Sequence, residues 1–313
     1  MKRIVTVLLC LMGTFTAVGE ERDSLLVVFW NLENFFDYTD GGGGSSDAEF
    51  SATGPRRWTK KRFWTKCNAV AKTLLWIADR EGRLPDAVGF AEIENEFVLR
   101  SVVRNTVLSS FGYSYVHYDS PDPRGIDVGL IYRKEAISLL SSRPHAVNGS
   151  TTRDILEVRL LDEKNDTLSL LVNHHPSKYG GSTSSSRRIG AMETMLSVVE
   201  SLGKRNTLAM GDFNDTPDGE AFELVRGTMV NLAEPLAEKG EGTIRYEGKW
   251  ELIDMFLATE DLAAGASMKI AYPPFILTKD SAHSGEKPLR TYSGPRYLGG
   301  VSDHLPVVAR VRF

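Results

Sequence analysis

Short apolar runs punctuate the chain, and most stop abruptly at a polar residue. Leu25 to Trp30 ends at Asn31, and Asp86 to Ala91 ends at Glu92. Each run is continuous and strand-length, which predicts a buried strand that delivers a polar side chain at its carboxyl end. Between them, Phe63, Cys67, Val70, Ala71, Leu74, Leu75 and Ala78 recur at three- and four-residue spacing. That period places them on one face of an amphipathic helix able to cover a sheet. Asp40 to Pro55 is so rich in Gly, Ser and Asp that it predicts a surface loop with little to bury.

Further along, Tyr113 to Tyr118, Ile126 to Tyr132, Ile155 to Leu161 and Leu168 to Asn173 read as successive strands, some joined by polar turns such as Glu163-Lys164-Asn165-Asp166. Strands that follow one another without helices predict antiparallel pairing. Ala191 to Leu202 reads as a helix, and Thr207 to Met210, Leu252 to Ala258 and Leu305 to Phe313 as strands. Helices can cover only the outer faces of such a set. The predicted fold class is therefore α/β, with two stacked, mainly antiparallel sheets flanked by helices. No composition break divides residues 20–313, which are read as a single domain.

The amino end adds a location. Lys2 and Arg3 precede an apolar stretch from Ile4 through Val18, and Ala17-Val18-Gly19 closes it as a small-x-small site. Residues 1–19 read as a secretory signal peptide, removed on export to the periplasm or the medium. The stretch is short for a bilayer-spanning helix and no second one follows, so no integral membrane association is expected. Beyond the leader only Cys67 remains, and no internal disulfide can form. Nothing indicates an obligate protein partner, and a monomer is expected.

Charge narrows the substrate less than it first promises. The formal net charge is −4, and removing the leader takes away Lys2, Arg3 and no acid, leaving −6. A globally acidic chain does not advertise tight nucleic-acid binding. Two local basic groups stand out: Arg56, Arg57, Lys60, Lys61 and Arg62 around Trp58, and Lys178, Arg187 and Arg188 beside a serine-rich stretch. Each fits a solvated surface or a phosphate-tracking one.

Several strand-like runs end in a polar cluster: Asn31 with Glu33 and Asn34, Glu92 with Glu94 and Asn95, Asn173-His174-His175, Asp212-Phe213-Asn214-Asp215, and Ser302-Asp303-His304. Carboxylates, amides and imidazoles are what a hard cation and a proton donor require. A single cluster such as Asp212 to Pro217 fits a turn as well as it fits catalysis. Five at strand ends can converge on one crevice at the rim of a sandwich.

Phe29-Trp30-Asn31-Leu32-Glu33-Asn34, Gly89-Phe90-Ala91-Glu92, Asn173-His174, Gly211-Asp212-Phe213-Asn214 and Ser302-Asp303-His304 resemble, in order, the signature of the endonuclease/exonuclease/phosphatase superfamily. The resemblance implies a four-layer αββα sandwich and a phosphoesterase dependent on Mg²⁺ or Mn²⁺, with Ca²⁺ as a candidate structural ion. It implies Asn31, Glu92 and Asp303 as metal ligands. It further implies Asp212 as the group that activates water, Asn214 and His304 as phosphate contacts, Asp254 as the carboxylate behind His304, and His174 as proton donor to the leaving group. Asp127 is a candidate partner for His174, and His175 stands where relatives usually carry an aromatic. His174, the basic loop and the leader favour a nuclease with DNA or RNA as substrate. A phosphomonoesterase or lipid-headgroup phosphoesterase is the alternative. His117, His145 and His283 are read as surface or packing residues, and Asp37, Glu94 and Asp215 as capping or solvated ones. Tyr272 to Phe275 and Tyr292 to Tyr297 either line a cleft or pack turns.

Overall fold

The computed structural model describes residues 24–42, 44–178 and 182–313. The leader read over residues 1–19 lies outside them. The first half runs β1 (Leu25–Phe35), α1 (Lys60–Glu81), β2 (Ala87–Ile93), α2 (Glu96–Asn105), β3 (Tyr113–His117), β4 (Asp127–Arg133), β5 (Ser138–His145), β6 (Ile155–Leu161) and β7 (Thr167–His174). Then come α3 (Ser182–Ser201), β8 (Thr207–Asp212), β9 (Met229–Asn231), α4 (Glu234–Ala237), β10 (Ile244–Tyr246), β11 (Lys249–Glu251) and β12 (Asp254–Thr259). The chain closes with α5 (Glu260–Ala263), β13 (Ser267–Ile270), β14 (Leu277–Lys279), β15 (Glu286–Pro288), β16 (Tyr292–Ser293), β17 (Arg296–Tyr297) and β18 (Val307–Val311).

Two six-stranded sheets form the centre, one ordered β13-β18-β1-β2-β4-β3 and the other β5-β6-β7-β8-β12-β9. Pairing within each is antiparallel except at the middle, where β1 lies parallel to β2 and β7 parallel to β8. Parallel neighbours need a crossover, and α1 and α3 supply it. The helix face read from the sequence is the buried one: Phe63, Cys67, Val70, Ala71 and Leu74 are enclosed, with Thr59 capping the start and Gly82 at φ 75° ending it. Phe63 meets Phe35 of β1 with ring centroids 5.5 Å apart.

Between the sheets, Phe29, Met210 and Phe256 are fully buried. Gly89 is needed there, because a Cβ at that position would lie 2.9 Å from Met210 Sδ. Gly211, opposite Asn173 in the β7/β8 pair, is tighter still: a Cβ would sit 2.5 Å from the Asn173 carbonyl oxygen. Gly211→Ala is expected to cost about 1–3 kcal/mol and to lower the melting temperature by several degrees. An unchanged thermal midpoint would show that the two strands can spread.

Two expectations are corrected. Asp40 to Pro55 is not merely a surface loop: Phe50 stacks on Phe36 at 4.9 Å, and Asp47 is buried. One aromatic anchor suffices to pin a stretch whose composition hides it. The strand β5 escaped the sequence pattern because most of its residues are exposed at a sheet edge. Among the described residues, no helix is long and apolar enough to cross a membrane.

Candidate active site

The four strands of the two parallel pairs all point their carboxyl ends toward one place. Open crevices beyond such ends are where α/β sheets gather ligands. Asn31 comes from β1, Glu92 from β2, His174 from β7 and Asp212 from β8. Asp254 opens β12 directly opposite Asp212, and the loop Ser302–Asp303–His304 leads into β18. That loop is latched to β1: Ser302 Oγ donates to the Asn31 carbonyl at 2.6 Å and accepts from His304 N at 3.0 Å, while Trp30 Nε1 donates to the His304 carbonyl at 2.9 Å.

Backbone strain marks the same strand ends. Glu33, Asn34, Glu92 and Asn214 hold φ between 46° and 59°, a region that costs a residue with a Cβ about 1 kcal/mol or more. At Glu92 it accompanies a bulge, where β2 shifts register against both neighbours. The bulge turns the Glu92 carboxylate back to accept from Asn34 N at 2.7 Å.

The side chains form a connected ring. Glu92 Oε1 lies 3.9 Å from His174 Nε2, which lies 3.7 Å from Asp212 Oδ2. Asp212 accepts from Asn31 Nδ2 at 2.9 Å and from Asn214 N at 2.9 Å. His304 Nε2 stands 3.9 Å from Asp212 Oδ2 and 3.9 Å from Asp303 Oδ1, and its Nδ1 meets Asp254 Oδ2 at 2.8 Å. All eight residues singled out from the sequence are thus brought together. Asn214 gives one N–H to the His175 carbonyl at 2.9 Å, leaving the other for a ligand.

Electrostatics separate the two imidazoles. Burial alone would lower His304, but the charge and hydrogen bond of Asp254, with Asp212 and Asp303, raise it well above the ordinary histidine value. Two carboxylates directly opposite on paired strands repel. Burial and Asp254 push Asp212 up to about 7, against the pull of His304. His174 goes the other way: burial, then Arg153 and Arg124, hold it well below the ordinary value. His174 is accordingly neutral at physiological pH, and its Nδ1 is buried without a hydrogen-bond partner.

That orphaned nitrogen overturns the pairing of His174 with Asp127. Asp127 instead accepts from Ser120 N at 3.0 Å and faces His117 Nε2 at 3.4 Å. His175 does fill a closed space, its ring edge-on to Phe213 at 4.9 Å, with burial and Arg153 lowering it to about 3. Of the lone histidines, His283 is exposed beside Asp280, His145 pairs with Glu157 at 2.6 Å, and the His117 side chain is enclosed. Glu94 is buried rather than solvated and accepts from Asp37 N at 2.6 Å. Glu33 turns away from Asn31 to accept from Thr291 N at 2.6 Å and Arg290 Nε at 3.2 Å. Burial and Asp303 raise it to about 7.

The sequence reading missed the basic side chains that hold the site. Arg124 reaches Asn34 Oδ1 at 2.5 Å and Glu92 at 3.6 Å, and Arg290 Nη2 bonds Asp303 at 2.8 Å. Lys66, enclosed on the buried face of α1, donates to the Glu33 carbonyl at 2.8 Å. A lysine three residues after Phe63 and four before Val70 was the available signal. Arg153, also buried, donates to Asp122 at 3.0 Å and to the His175 carbonyl at 2.7 Å. Arg153→Met is expected to cost about 3–5 kcal/mol, because it strands the Asp122 charge. Chemical denaturation checks this, and a loss under about 1 kcal/mol would mean that Asp122 finds water.

A family model described as the endonuclease/exonuclease/phosphatase family matches residues 26–312. The chain belongs to that family. Phosphoester hydrolysis comes with the membership, as does general use of a divalent metal. No curated protein matches the sequence. Among solved structures, a family protein from Bacteroides thetaiotaomicron is 13% identical with a TM-score of 0.61, covering 93% of this chain and 98% of that one. D. rerio TDP2 complexed with single-strand DNA product is 15% identical, with a TM-score of 0.56 and coverage of 93% and 99%. A mannosyl-6-phosphatase from Bacteroides thetaiotaomicron VPI-5482 is 14% identical, with a TM-score of 0.59 and coverage of 93% and 100%.

Two groups of this family member could hold the metal. Asp212, Asp254 and His304 have ligand atoms within 4.8 Å of one another, yet all three are buried and His304 Nδ1 is committed to Asp254. Glu92 and Asp303 are the part-exposed carboxylates, at 13% and 26% of their side-chain surface. A hard cation that keeps some of its waters is better reached by the part-exposed Glu92 and Asp303, whereas Asn31 is buried and its side-chain oxygen accepts from Glu33 N at 2.9 Å.

Proposed function

We propose that this chain is an exported phosphoesterase that uses Mg²⁺, or Mn²⁺, to hydrolyse a compact phosphate ester. The observation that carries the substrate class is where its basic side chains go. Arg56 bonds Glu49 at 2.7 Å and lies over the rings of Phe50 and Tyr292, and Arg62 lies 4.1 Å over Tyr297. Lys178 pairs with Glu251 at 2.8 Å, and Arg188 with Asp215 at 3.2 Å. These four side chains are engaged within the fold and offer a long polynucleotide backbone less than their clustering in the sequence promises. Beside Glu92 and Asp303 there is instead a cavity of about 120 Å³, lined by Glu33, Asn34, Phe50, Arg56, Arg290 and Tyr292. A small anionic group fits it.

Asn31, Glu92 and Asp303 would hold the metal, which when bound polarises a phosphoryl oxygen and neutralises developing charge. The remaining steps belong to side chains. His304, kept charged by Asp254, binds a non-bridging oxygen and stabilises the charge that grows there. Asp212, with its proton affinity raised toward neutrality, takes a proton from the attacking water. Asn214 offers its free N–H to the phosphate. His174, held neutral, donates a hydrogen bond to the phosphate rather than a proton to the leaving oxygen.

A nuclease is the second reading, supported by His174 in the ring and by the likeness to TDP2 in complex with DNA product. The test is product release from sugar phosphates, inositol phosphates, sphingomyelin, RNA and plasmid DNA, with Mg²⁺, Mn²⁺ or EDTA. Metal-dependent turnover of a small ester with untouched plasmid is expected. Nicking that outpaces every small ester would replace the compact-substrate reading with the nuclease.

A further inference from the structure

His117 ends β3, Asp127 begins β4, and Asp119 lies in the loop between them. One ligand atom from each falls within 4.8 Å of the other two. His117 Nε2 is 3.4 Å from Asp127 Oδ2, and Nδ1 is 3.9 Å from Asp119 Oδ1. Asp127 Oδ1 is occupied by the amide and hydroxyl of Ser120, so only Oδ2 turns toward the imidazole.

Two atoms here are buried without a hydrogen-bond partner. One is His117 Nε2, on a side chain only 4% exposed, and the other is Asp154 Oδ1. Asp154 precedes β6 of the opposite sheet. It shares a small cavity with Tyr118, Ser120 and Asp127, and the Asp127 charge, after burial, raises its carboxyl. Buried polar atoms in native proteins are nearly always satisfied. An unsatisfied imidazole nitrogen facing Asp127, and an unsatisfied carboxylate oxygen on Asp154 in the cavity that Asp127 also lines, are donors that a cation would complete.

We infer that His117, Asp119 and Asp127, with Asp154 behind them, form a second divalent-cation site, separate from the catalytic ring. Imidazole with carboxylates suits Zn²⁺ or Mn²⁺, whereas Ca²⁺ prefers an all-oxygen set. Asp119, whose side chain is 88% exposed, is free to swing onto the ion. The bound ion ties the edge of one sheet to the other. It also fixes the loop that carries Asp122 to Arg153 and Arg124 to Asn34.

The test is calorimetric titration of the full-length Glu92→Gln chain with Zn²⁺, with thermal melting alongside, so that the catalytic position is weakened at the outset. Uptake of Zn²⁺ with a higher melting temperature is expected, and His117→Ala on that background should abolish both. Asp119→Asn, at an exposed position that leaves the fold alone, should weaken Zn²⁺ roughly tenfold or more. Binding of Ca²⁺ should be weaker than that of Zn²⁺. Absence of Zn²⁺ uptake by Glu92→Gln, or uptake indifferent to both His117→Ala and Asp119→Asn, would overturn the site and leave His117 as an ion-pair partner of Asp127.

Discussion

Replacing His304 with Gln should lower turnover by about 10²–10⁴-fold, the range for a group acting on charge or protons in the transition state. The same change removes the cation between Asp212 and Asp254, and Asp254 already has one buried oxygen without a partner. A stranded buried charge costs about 3–5 kcal/mol, so some loss of stability should accompany the loss of rate. Adding Asp254→Asn removes that charge. The double variant should therefore regain stability while staying inactive, which separates chemistry from folding. The pH profile gives a further check. Asp212 must shed a proton that burial and Asp254 hold up to about 7, so the rate should rise through neutrality. His304 keeps its charge until the pH passes its raised value, so the rate should fall only in alkali. His304→Gln should lose the alkaline limb and keep the acidic one, moved to higher pH because the imidazolium no longer holds Asp212 down. A double variant that recovers near-wild-type turnover would remove His304 from the mechanism.

Glu92→Gln should weaken the activating metal by about 100-fold or more, since even partners of a metal ligand cost 10–100-fold. The isosteric amide keeps the acceptor for Asn34 N, so the fold should survive. Activity titrated against Mg²⁺ reads the effect: the half-saturating concentration should rise steeply, with partial rescue at high metal. Asp303→Asn should do less, because Arg290 already neutralises that carboxylate at 2.8 Å. An unshifted Mg²⁺ titration for Glu92→Gln would move the metal toward the buried Asp212–Asp254–His304 group.

Strand physics marked where polar residues reach the rim, while the roles of Asp212, Asn214, Asp254 and His304 were legible only through the family resemblance. A buried strand must be apolar until it emerges, so the first polar residue after each run, at Asn31 and Glu92, marks the rim of the sheet. The stacked-sheet architecture followed from helices that can cover only outer faces. The parallel pair at the centre of each sheet was not spelled out, because a continuous apolar run does not reveal its neighbour's direction. Partners were harder than positions. The sequence offers Asp127 as a partner for His174, yet it faces His117, ten residues earlier in the chain, and no spacing rule distinguishes the two histidines. Arg124 and Arg290 lie in loops, where an arginine reads as solvated unless its target is known. Their roles depend on Asn34 and Asp303, which only the folded chain brings near.

The latch of Ser302 onto the Asn31 carbonyl joins residues 271 positions apart. Closing so long a loop carries a large entropic cost before any contact repays it, and such distant pairings slow folding. A chain emerging from synthesis would hold Asn31, Glu92 and Asp212 well before it holds His304. The charged imidazole is therefore among the last groups of the site to arrive, and a chain clipped just ahead of Ser302 would lose it together with the latch and β18.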